Sequence, residues 1–372
     1  MQKIKLEIFL SLLLTLLFTN LEAQTTIQKP IRLVVLGVSH DHIGFILGRK
    51  GKTDFEIVGI YEPNNELAIR ICKGFGFDTK LIYSNLDNML DIVKPDAAVG
   101  FGPIFEHLAM VEACAPRGIH VMVEKPLATT VKQATRMEML ANKYNIQLLT
   151  DYETSWYSTT LKSFQLLNDS NYVGTLRKVV IHDGHQGPFE IGTSKEFLSW
   201  LTDPVLNGGG SLIDFGCYGA NLMTYLTKGE LPISVTAVTK TFKPKIYSKV
   251  EDEATIIVTY PTSQCIIQAS WNWPFGRKDM EIYGETGYIV TVNNRTMRLR
   301  NNEKQAEKTV VLNAKDVGVY QDPFNYFADV INGKVKLTNY DPYSLVNNVT
   351  VVKILSAARE SAKKGRTVKI QN

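Results

Sequence analysis

The stretch Ile31-Arg32-Leu33-Val34-Val35-Leu36-Gly37-Val38-Ser39-His40-Asp41-His42-Ile43-Gly44 decides the reading of the fold. An apolar, β-branched run stops at a glycine and passes into a segment with helical spacing, the strand–turn–helix opening of a dinucleotide-binding unit. Gly37 stands where such a turn needs its first glycine, while Ser39 and His42 occupy the positions of the other two. Close approach of the backbone to a pyrophosphate is therefore more restricted than in the standard loop. The next apolar run ends at Glu62, about 25 residues further on, where a carboxylate can accept both ribose hydroxyls and repels a 2′-phosphate, which favours NAD over NADP.

Outward from this turn, β-rich runs at 31–36, 55–60, 97–99 and 120–123 alternate with amphipathic segments at 66–75, 104–117 and 131–144. That rhythm predicts an α/β domain at 31–150, a Rossmann-like doubly wound parallel sheet. Beyond Trp156 strand-like runs at 234–241, 254–260, 265–270, 280–283 and 288–292 follow one another without intervening helices, as in an antiparallel sheet. We expect a C-terminal α+β domain on a large, mainly antiparallel sheet at 151–340. A last segment, 341–372, is expected to supply a helix and strand that pack back on the first domain.

Lys3 and Lys5 precede the leucine-rich run 8–18, which is short for a membrane span of about 20 residues and has the layout of a signal peptide ending near residue 23. The expectation is an exported protein, periplasmic in a Gram-negative host, with no membrane attachment after cleavage. The formal net charge of +4 is small for 372 residues and its charges are interspersed, so no nucleic-acid surface is indicated. Cys72, Cys114, Cys217 and Cys265 lack the paired spacing of zinc or redox motifs and are read as buried thiols.

Val121-Met122-Val123-Glu124-Lys125-Pro126-Leu127-Ala128 is a strand ending in Glu-Lys-Pro, and Gly208-Gly209-Gly210-Ser211-Leu212-Ile213-Asp214-Phe215-Gly216-Cys217-Tyr218 leads into an amphipathic helix. Together they resemble the glucose-fructose oxidoreductase / inositol dehydrogenase (Gfo/Idh/MocA) family, whose pattern carries Asp and then His or Tyr four residues later. The closing Ser361-Ala362-Lys363-Lys364-Gly365-Arg366 also fits, so the likeness covers nearly the whole mature chain. It implies an NAD-dependent oxidoreductase acting on a sugar or polyol hydroxyl, a homo-oligomer formed through the exposed sheet face, and Lys125, Asp214 and Tyr218 as catalytic residues. It also implies cofactor contacts from Gly37, Ser39, His40, His42, Glu62, Gly102, Pro103, His107, Glu124 and Lys125.

Carbinol oxidation needs a base for the hydroxyl proton while hydride leaves for the nicotinamide. A Tyr ionises near pH 10, and a cation about 4 Å away at an effective dielectric of 20 is worth about 4 kcal/mol, or roughly three pK units. Tyr218 beside Lys125 is therefore expected to act as the base, with Asp214 sharing its helix face and holding the substrate or Lys125. Tyr152, Trp156, His182, His185 and Asp214 are the expected substrate contacts, and Glu106 accompanies His107 as a site candidate. Trp200, Trp271 and Trp273 offer further faces for a pyranose ring. No metal is assigned to His40, Asp41 and His42, because side chains so close in an extended turn diverge, and the polar cluster with His182, Asp183 and His185 at the end of a strand is read as a sugar-binding loop, metal binding being the alternative there.

These readings converge on oxidation of a sugar or glycoside hydroxyl, C3 of a glucoside being one position. Two alternatives remain: a glycoside hydrolase that uses NAD for transient C3 oxidation and elimination, and a cofactor-free sugar-binding module.

Overall fold

The computed structural model describes residues 29–370, and the expected signal peptide lies outside them. From Ile31 onward the chain forms one compact unit with two lobes. Strands β1 (Ile31–Leu36), β2 (Phe55–Tyr61), β3 (Ile82–Tyr83), β4 (Ala97–Gly100), β5 (His120–Glu124) and β6 (Leu148–Asp151) make a parallel sheet in the order β3-β2-β1-β4-β5-β6. Its topology reverses between β1 and β4, so a crevice opens at their carboxyl ends, where open α/β sheets bind ligands.

Alternation along β1 explains why both sheet faces are covered. Val34 and Leu36 belong to one apolar cluster and Leu33 and Val35 to another. The first cluster is closed by α3 (Leu86–Val93), α4 (His107–Cys114) and α5 (Val131–Tyr144); the second by α1 (Ile43–Leu47) and α2 (Asn65–Phe75). Asn64, Asn85 and Thr130 cap α2, α3 and α5 by accepting backbone N–H groups of the first turns.

The second lobe begins with α6 (Ser158–Asn168) and β7 (Leu176–Gly184), then α7 (Lys195–Leu201), α8 (Ser211–Asp214) and α9 (Gly216–Leu226). Strands β8 (Ser234–Lys240), β9 (Glu253–Thr259), β10 (Gln264–Ser270), β11 (Arg277–Gly284), β12 (Tyr288–Thr291), β13 (Thr296–Arg300) and β14 (Lys308–Val311) complete a sheet ordered β14-β13-β12-β11-β7-β10-β9-β8. Every pairing in it is antiparallel except β7 with β10. Its inner face, with Val179, Ile181, Ile256, Ile267 and Ile282, packs on α9. A Cβ on Gly219 would lie 2.5 Å from Ile267 Cγ2, so the glycine permits α9 to approach β10 that closely.

Three expectations about organisation need correction. After α10 (Ala314–Val317), helix α11 (Pro323–Ile331) was expected in the second domain, but its buried Phe324 and Phe327 join the first lobe's cluster with Leu33 and Val35. Truncating such a buried phenylalanine costs about 3–5 kcal/mol, so this helix is part of the first lobe's stability. Helix α12 (Leu345–Lys364) does not simply return to the first lobe. It lies between them, with Val349 and Val352 in one core and Val351, Ile354 and Leu355 in the other. The final strand β15 (Val368–Lys369) pairs antiparallel with β8 and so extends the second sheet. All four cysteines are buried free thiols.

Candidate active site

A cavity of about 320 Å³ lies where the carboxyl end of the parallel sheet meets the second lobe. That volume is at the lower end for small-molecule sites. Lys125 reaches it from the end of β5, Asp214 from the end of α8, Tyr218 from the first turns of α9, and His185 from the turn after β7. His40 and His42 enter from the β1 turn and Lys278 from β11.

Asp214 is positioned by the glycine turn before it. A Cβ on Gly210 would lie 1.8 Å from Glu251 O, and the Glu251 carboxylate accepts the N–H groups of Gly210 and Leu212 at 2.8 and 3.1 Å. The expected single helix from Asp214 is in fact two, because Phe215 interrupts it at φ −106°. The Lys125 ammonium donates to the Asp214 carboxylate and to its backbone oxygen, the latter at 3.0 Å, while Trp271 Nε1 donates to Oδ2 at 2.9 Å. Burial alone would discharge both partners. Their pairing outweighs it, raising Lys125 and lowering Asp214, so the buried pair is ionised.

Tyr218 departs from expectation. Burial pushes its phenol well above the ordinary value, and Glu153 adds to the effect. Lys125 cannot supply the anticipated lowering: its Nζ lies 5.2 Å from the Tyr218 ring centroid, a cation–π arrangement, and its charge is spent on Asp214. Tyr218 is therefore a neutral hydroxyl at physiological pH. Lys278 sits over the same ring at 4.7 Å and is anchored by the Glu153 carboxylate.

The histidines have defined tautomers. Gly187 N–H donates to His185 Nδ1 at 2.9 Å, and burial lowers that ring's pKa, so its neutral form carries the proton on Nε2. His42 N–H donates to His40 Nδ1 at 3.1 Å, and His40 is neutral because of burial. His42 Nδ1 meets Glu124 Oε1 at 2.9 Å. Burial would raise the Glu124 pKa, but His42, His40 and Lys125 bring it down to about 2.

The other expected substrate contacts lie outside this cavity. His182 points to the opposite sheet face, where its Nδ1 meets Asp279 at 3.0 Å. Tyr152 is fully buried and meets the Tyr218 ring edge-on at 5.4 Å. Trp156 donates to Asp151 at 3.1 Å, and the Trp200 ring meets the His40 ring at a tilt with centroids 5.5 Å apart.

Residues 31–152 match the oxidoreductase family with an NAD-binding Rossmann fold, and residues 164–290 match the GFO/IDH/MocA C-terminal domain. The chain belongs to the GFO/IDH/MocA family. An uncharacterized oxidoreductase of Schizosaccharomyces pombe is 26% identical over 238 residues, which cover 63% of this chain and 61% of that protein. The trans-1,2-dihydrobenzene-1,2-diol dehydrogenase of Xenopus laevis is 29% identical over 136 residues, 35% of this chain and 37% of that one. The chain thus aligns with less than two thirds of either relative's length. Aldose-aldose oxidoreductase from Caulobacter crescentus, in a crystal structure complexed with glycerol, has a TM-score of 0.74 at 22% identity, covering 91% of this chain and 99% of that one. At that identity the likeness establishes the fold.

The family's NAD-binding domain is the first lobe, and its strand ends suit an adenosine ribose without a 2′-phosphate. Glu62 at the end of β2 accepts Val38 N–H at 3.0 Å and Asn64 N–H at 2.9 Å, one on each carboxylate oxygen, leaving lone pairs for hydroxyl donors. Burial and then Glu62 raise the pKa of neighbouring Glu106, so two carboxyl groups stand together at this strand end. Gly37, at φ 75°, is needed because a Cβ would lie 2.8 Å from Gly102 N. Ser39 and Pro103 are half-buried beside this crossing. His107 is buried, with Nδ1 on Leu127 O at 3.1 Å and Nε2 without a partner. Two N–H groups of the turn are used within the protein: His40 N–H is bonded to Phe101 O at 2.9 Å and His42 N–H to the His40 ring.

Lys278, Glu153 and the role of Trp271 were not foreseen. Lys278 and Trp271 come from the second sheet, and their side chains meet the site only through tertiary packing.

Proposed function

We propose that this chain is an exported NAD(H)-dependent oxidoreductase that oxidises a secondary ring hydroxyl of a sugar or glycoside. The observation that carries this reading is the ionised Lys125–Asp214 pair, buried in a cavity at the carboxyl edge of an NAD-binding Rossmann sheet. Burying such a pair costs several kcal/mol in desolvation, which sugar binding by a passive module does not require.

When bound, the nicotinamide supplies the hydride acceptor. The protein's part is to hold the carbinol: the Lys125 ammonium donates to the hydroxyl oxygen and stabilises negative charge as it develops there. Asp214 fixes Lys125, and its own orientation is fixed by Trp271. Neutral Tyr218 and the Nε2–H of His185 are donors to neighbouring hydroxyls, which suits a substrate rich in acceptors. The cyclic vicinal diol in the name of the Xenopus relative and the aldose in that of the Caulobacter enzyme support this substrate class. C3 of a glucoside is the first position to test. Export, supported by Lys3, Lys5 and the apolar run 8–18, would require a retained cofactor recycled by a second substrate.

The test is to denature the purified mature protein, assay the supernatant for NAD(H), and follow nicotinamide absorbance of the intact protein with a panel of sugars and glucosides. Reduction by a sugar supports the reading. Glycoside cleavage without net reduction supports the hydrolase alternative, and failure to bind nicotinamide even when supplied supports the binding module.

A further inference from the structure

The catalytic cavity shares two of its wall residues, His185 and Lys278, with a second cavity of about 400 Å³. Both residues stand close to the reacting groups. Lys278 Nζ is 4.7 Å from the Tyr218 ring centroid, and the His185 ring meets that of Phe215, next in sequence to Asp214, edge-on at 4.9 Å. The two spaces therefore adjoin beside the catalytic pair. A catalytic cavity of about 320 Å³ is at the lower end for small-molecule sites, so a substrate longer than one ring extends beyond it, and the second cavity is the adjoining space that can receive the rest.

The walls of the second cavity define the kind of unit that fits. They are Glu153 and Tyr157 from the segment after β6, Arg277 and Asp279 of β11, and Val292 and Asn294 after β12, besides the two shared residues. Among the described residues every formal charge on these walls is paired. Lys278 is bonded to Glu153, which also accepts the Tyr157 hydroxyl at 2.6 Å. Arg277 is bonded twice to Asp279, Nε to Oδ2 at 2.7 Å and Nη2 to Oδ1 at 2.8 Å.

An anionic unit would find no free cation here and would meet two carboxylates; a cationic one would find both carboxylates already neutralised. An apolar unit would strip water from the pairs and return no hydrogen bond. The paired groups nonetheless have bonding capacity in reserve: the ammonium has N–H groups beyond the one on Glu153, the guanidinium keeps those of Nη1, and each carboxylate has further lone pairs. Asn294 adds an exposed amide that both donates and accepts. Uncharged hydroxyls, each a donor and an acceptor, match such walls.

We propose that this cavity is a subsite for a second, uncharged sugar unit, so that the substrate is a disaccharide or longer glycoside oxidised on the ring that lies against Lys125. The inference rests on the carbinol-oxidation reading above and narrows it. Lys278 and the Nε2–H of His185 donate to hydroxyls on either side of the glycosidic linkage. The added unit contributes binding and no chemistry, so it lowers KM and leaves kcat nearly unchanged.

The experiment compares one-ring and two-ring probes on the NAD-loaded mature protein, by nicotinamide reduction and by isothermal titration calorimetry. The probes are the methyl glucosides and the glucosyl-glucoses cellobiose, maltose and trehalose. At least one disaccharide should exceed the methyl glucosides by about tenfold or more in kcat/KM, through KM, and bind tighter by a similar factor, the worth of one or two hydrogen bonds. Val292 is 47% exposed and offers a sugar no hydrogen bond, so Val292→Trp fills the subsite away from the catalytic residues. It should abolish the preference for two rings, keep the melting temperature, and leave the methyl glucoside kinetics within about twofold. Equal kcat/KM and equal affinity for one-ring and two-ring probes, or a loss in Val292→Trp that both share, overturns the subsite while the oxidoreductase reading stands. Tighter disaccharide binding that Val292→Trp removes, with no nicotinamide reduction by any sugar, overturns the oxidoreductase reading and supports the subsite; failure of every probe to bind overturns both.

Discussion

Trp271 donates its indole N–H to Asp214 Oδ2 at 2.9 Å, on the opposite side of the carboxylate from the oxygen that holds Lys125. A strand-end residue of the second lobe therefore sets the orientation of the ion pair that faces the first. Trp271 is fully buried, so it acts through this bond and through packing on Tyr247 at 4.9 Å, rather than as a sugar-stacking platform. Trp271→Phe keeps most of the ring volume and removes the donor. We expect a stability loss of about 1.5–3 kcal/mol, the range for a hydrogen bond to a charged group, and about a tenfold fall in kcat. Thermal melts and steady-state kinetics check both; unchanged kcat would show that Asp214 needs no orientation from this side.

Lys125 and Asp214 are coupled more strongly. Lys125→Met leaves a buried carboxylate without its counter-ion, which costs about 3–5 kcal/mol, whereas removing both charges in Lys125→Met/Asp214→Leu recovers much of that loss. Turnover in either variant should fall by at least about 100-fold, because the donor to the hydroxyl oxygen is gone. Chemical denaturation of the two single variants and the double gives the coupling energy. A double variant that regained activity with stability would remove the pair from the mechanism.

Much of this was legible in the chain, and the gaps have physical reasons. The parallel sheet could be read because strands buried on both faces are continuous apolar runs separated by helices, and Lys125 and Asp214 stood out because each ends a distinctive local motif. The inward face of β7 was also readable. Val179 and Ile181 are core residues, so period-two alternation turns Asp183 inward and sends His182 to the other face, away from the substrate site that it was expected to share with His185. Lys278 had no such signal, since nothing on β11 says which side chain across the lobes it will meet. Helix α11 has an apolar stripe at Phe324, Phe327 and Val330, but amphipathicity does not name its partner, and sequence order suggested the wrong lobe.

Asp183 gives a pH-dependent test. Both its carboxyl oxygens are buried without a hydrogen-bond partner, and burial pushes its pKa well above the ordinary value, against an opposing pull from Lys278. An Asp in the unfolded chain ionises near 3.9. Between that pH and the folded pKa, the unfolded state loses a proton that the native state retains, so this group's contribution to stability falls as pH rises. Asp183→Asn should remove that slope and leave the protein at least as stable at pH 7.5 as the wild type. Thermal melts from pH 4 to pH 8 decide it; a variant that is less stable at pH 7.5 would mean that the ionised carboxylate has a stabilising partner in solution.

Glu124 has the opposite sign. Its folded pKa of about 2 lies below the ordinary 4.5, so the stability it contributes is present above about pH 4.5 and lost as pH falls toward 2. Glu124→Gln should flatten the acid side of the stability profile over that window, and acid titration followed by circular dichroism measures it. An unchanged acid midpoint would place the charge elsewhere.

Tyr218 separates two mechanisms through one substitution. Its ring meets the ammonium groups of Lys125 and Lys278, at 5.2 and 4.7 Å, and cation–π contacts of this kind are worth about 0.5–2 kcal/mol each. Tyr218→Phe retains the ring and both contacts while removing the hydroxyl, so the fold and melting temperature should hold. If the phenol is a neutral donor to the substrate, as its raised pKa requires, the variant loses one hydrogen bond: kcat/KM falls by about tenfold and the pH profile keeps its shape. If the phenol were the base, turnover would fall by about 10²–10⁴-fold and the profile would lose its acid limb. Measuring kcat/KM against pH for Tyr218→Phe therefore decides between the two, because a group that never ionises in the working range cannot shape the profile.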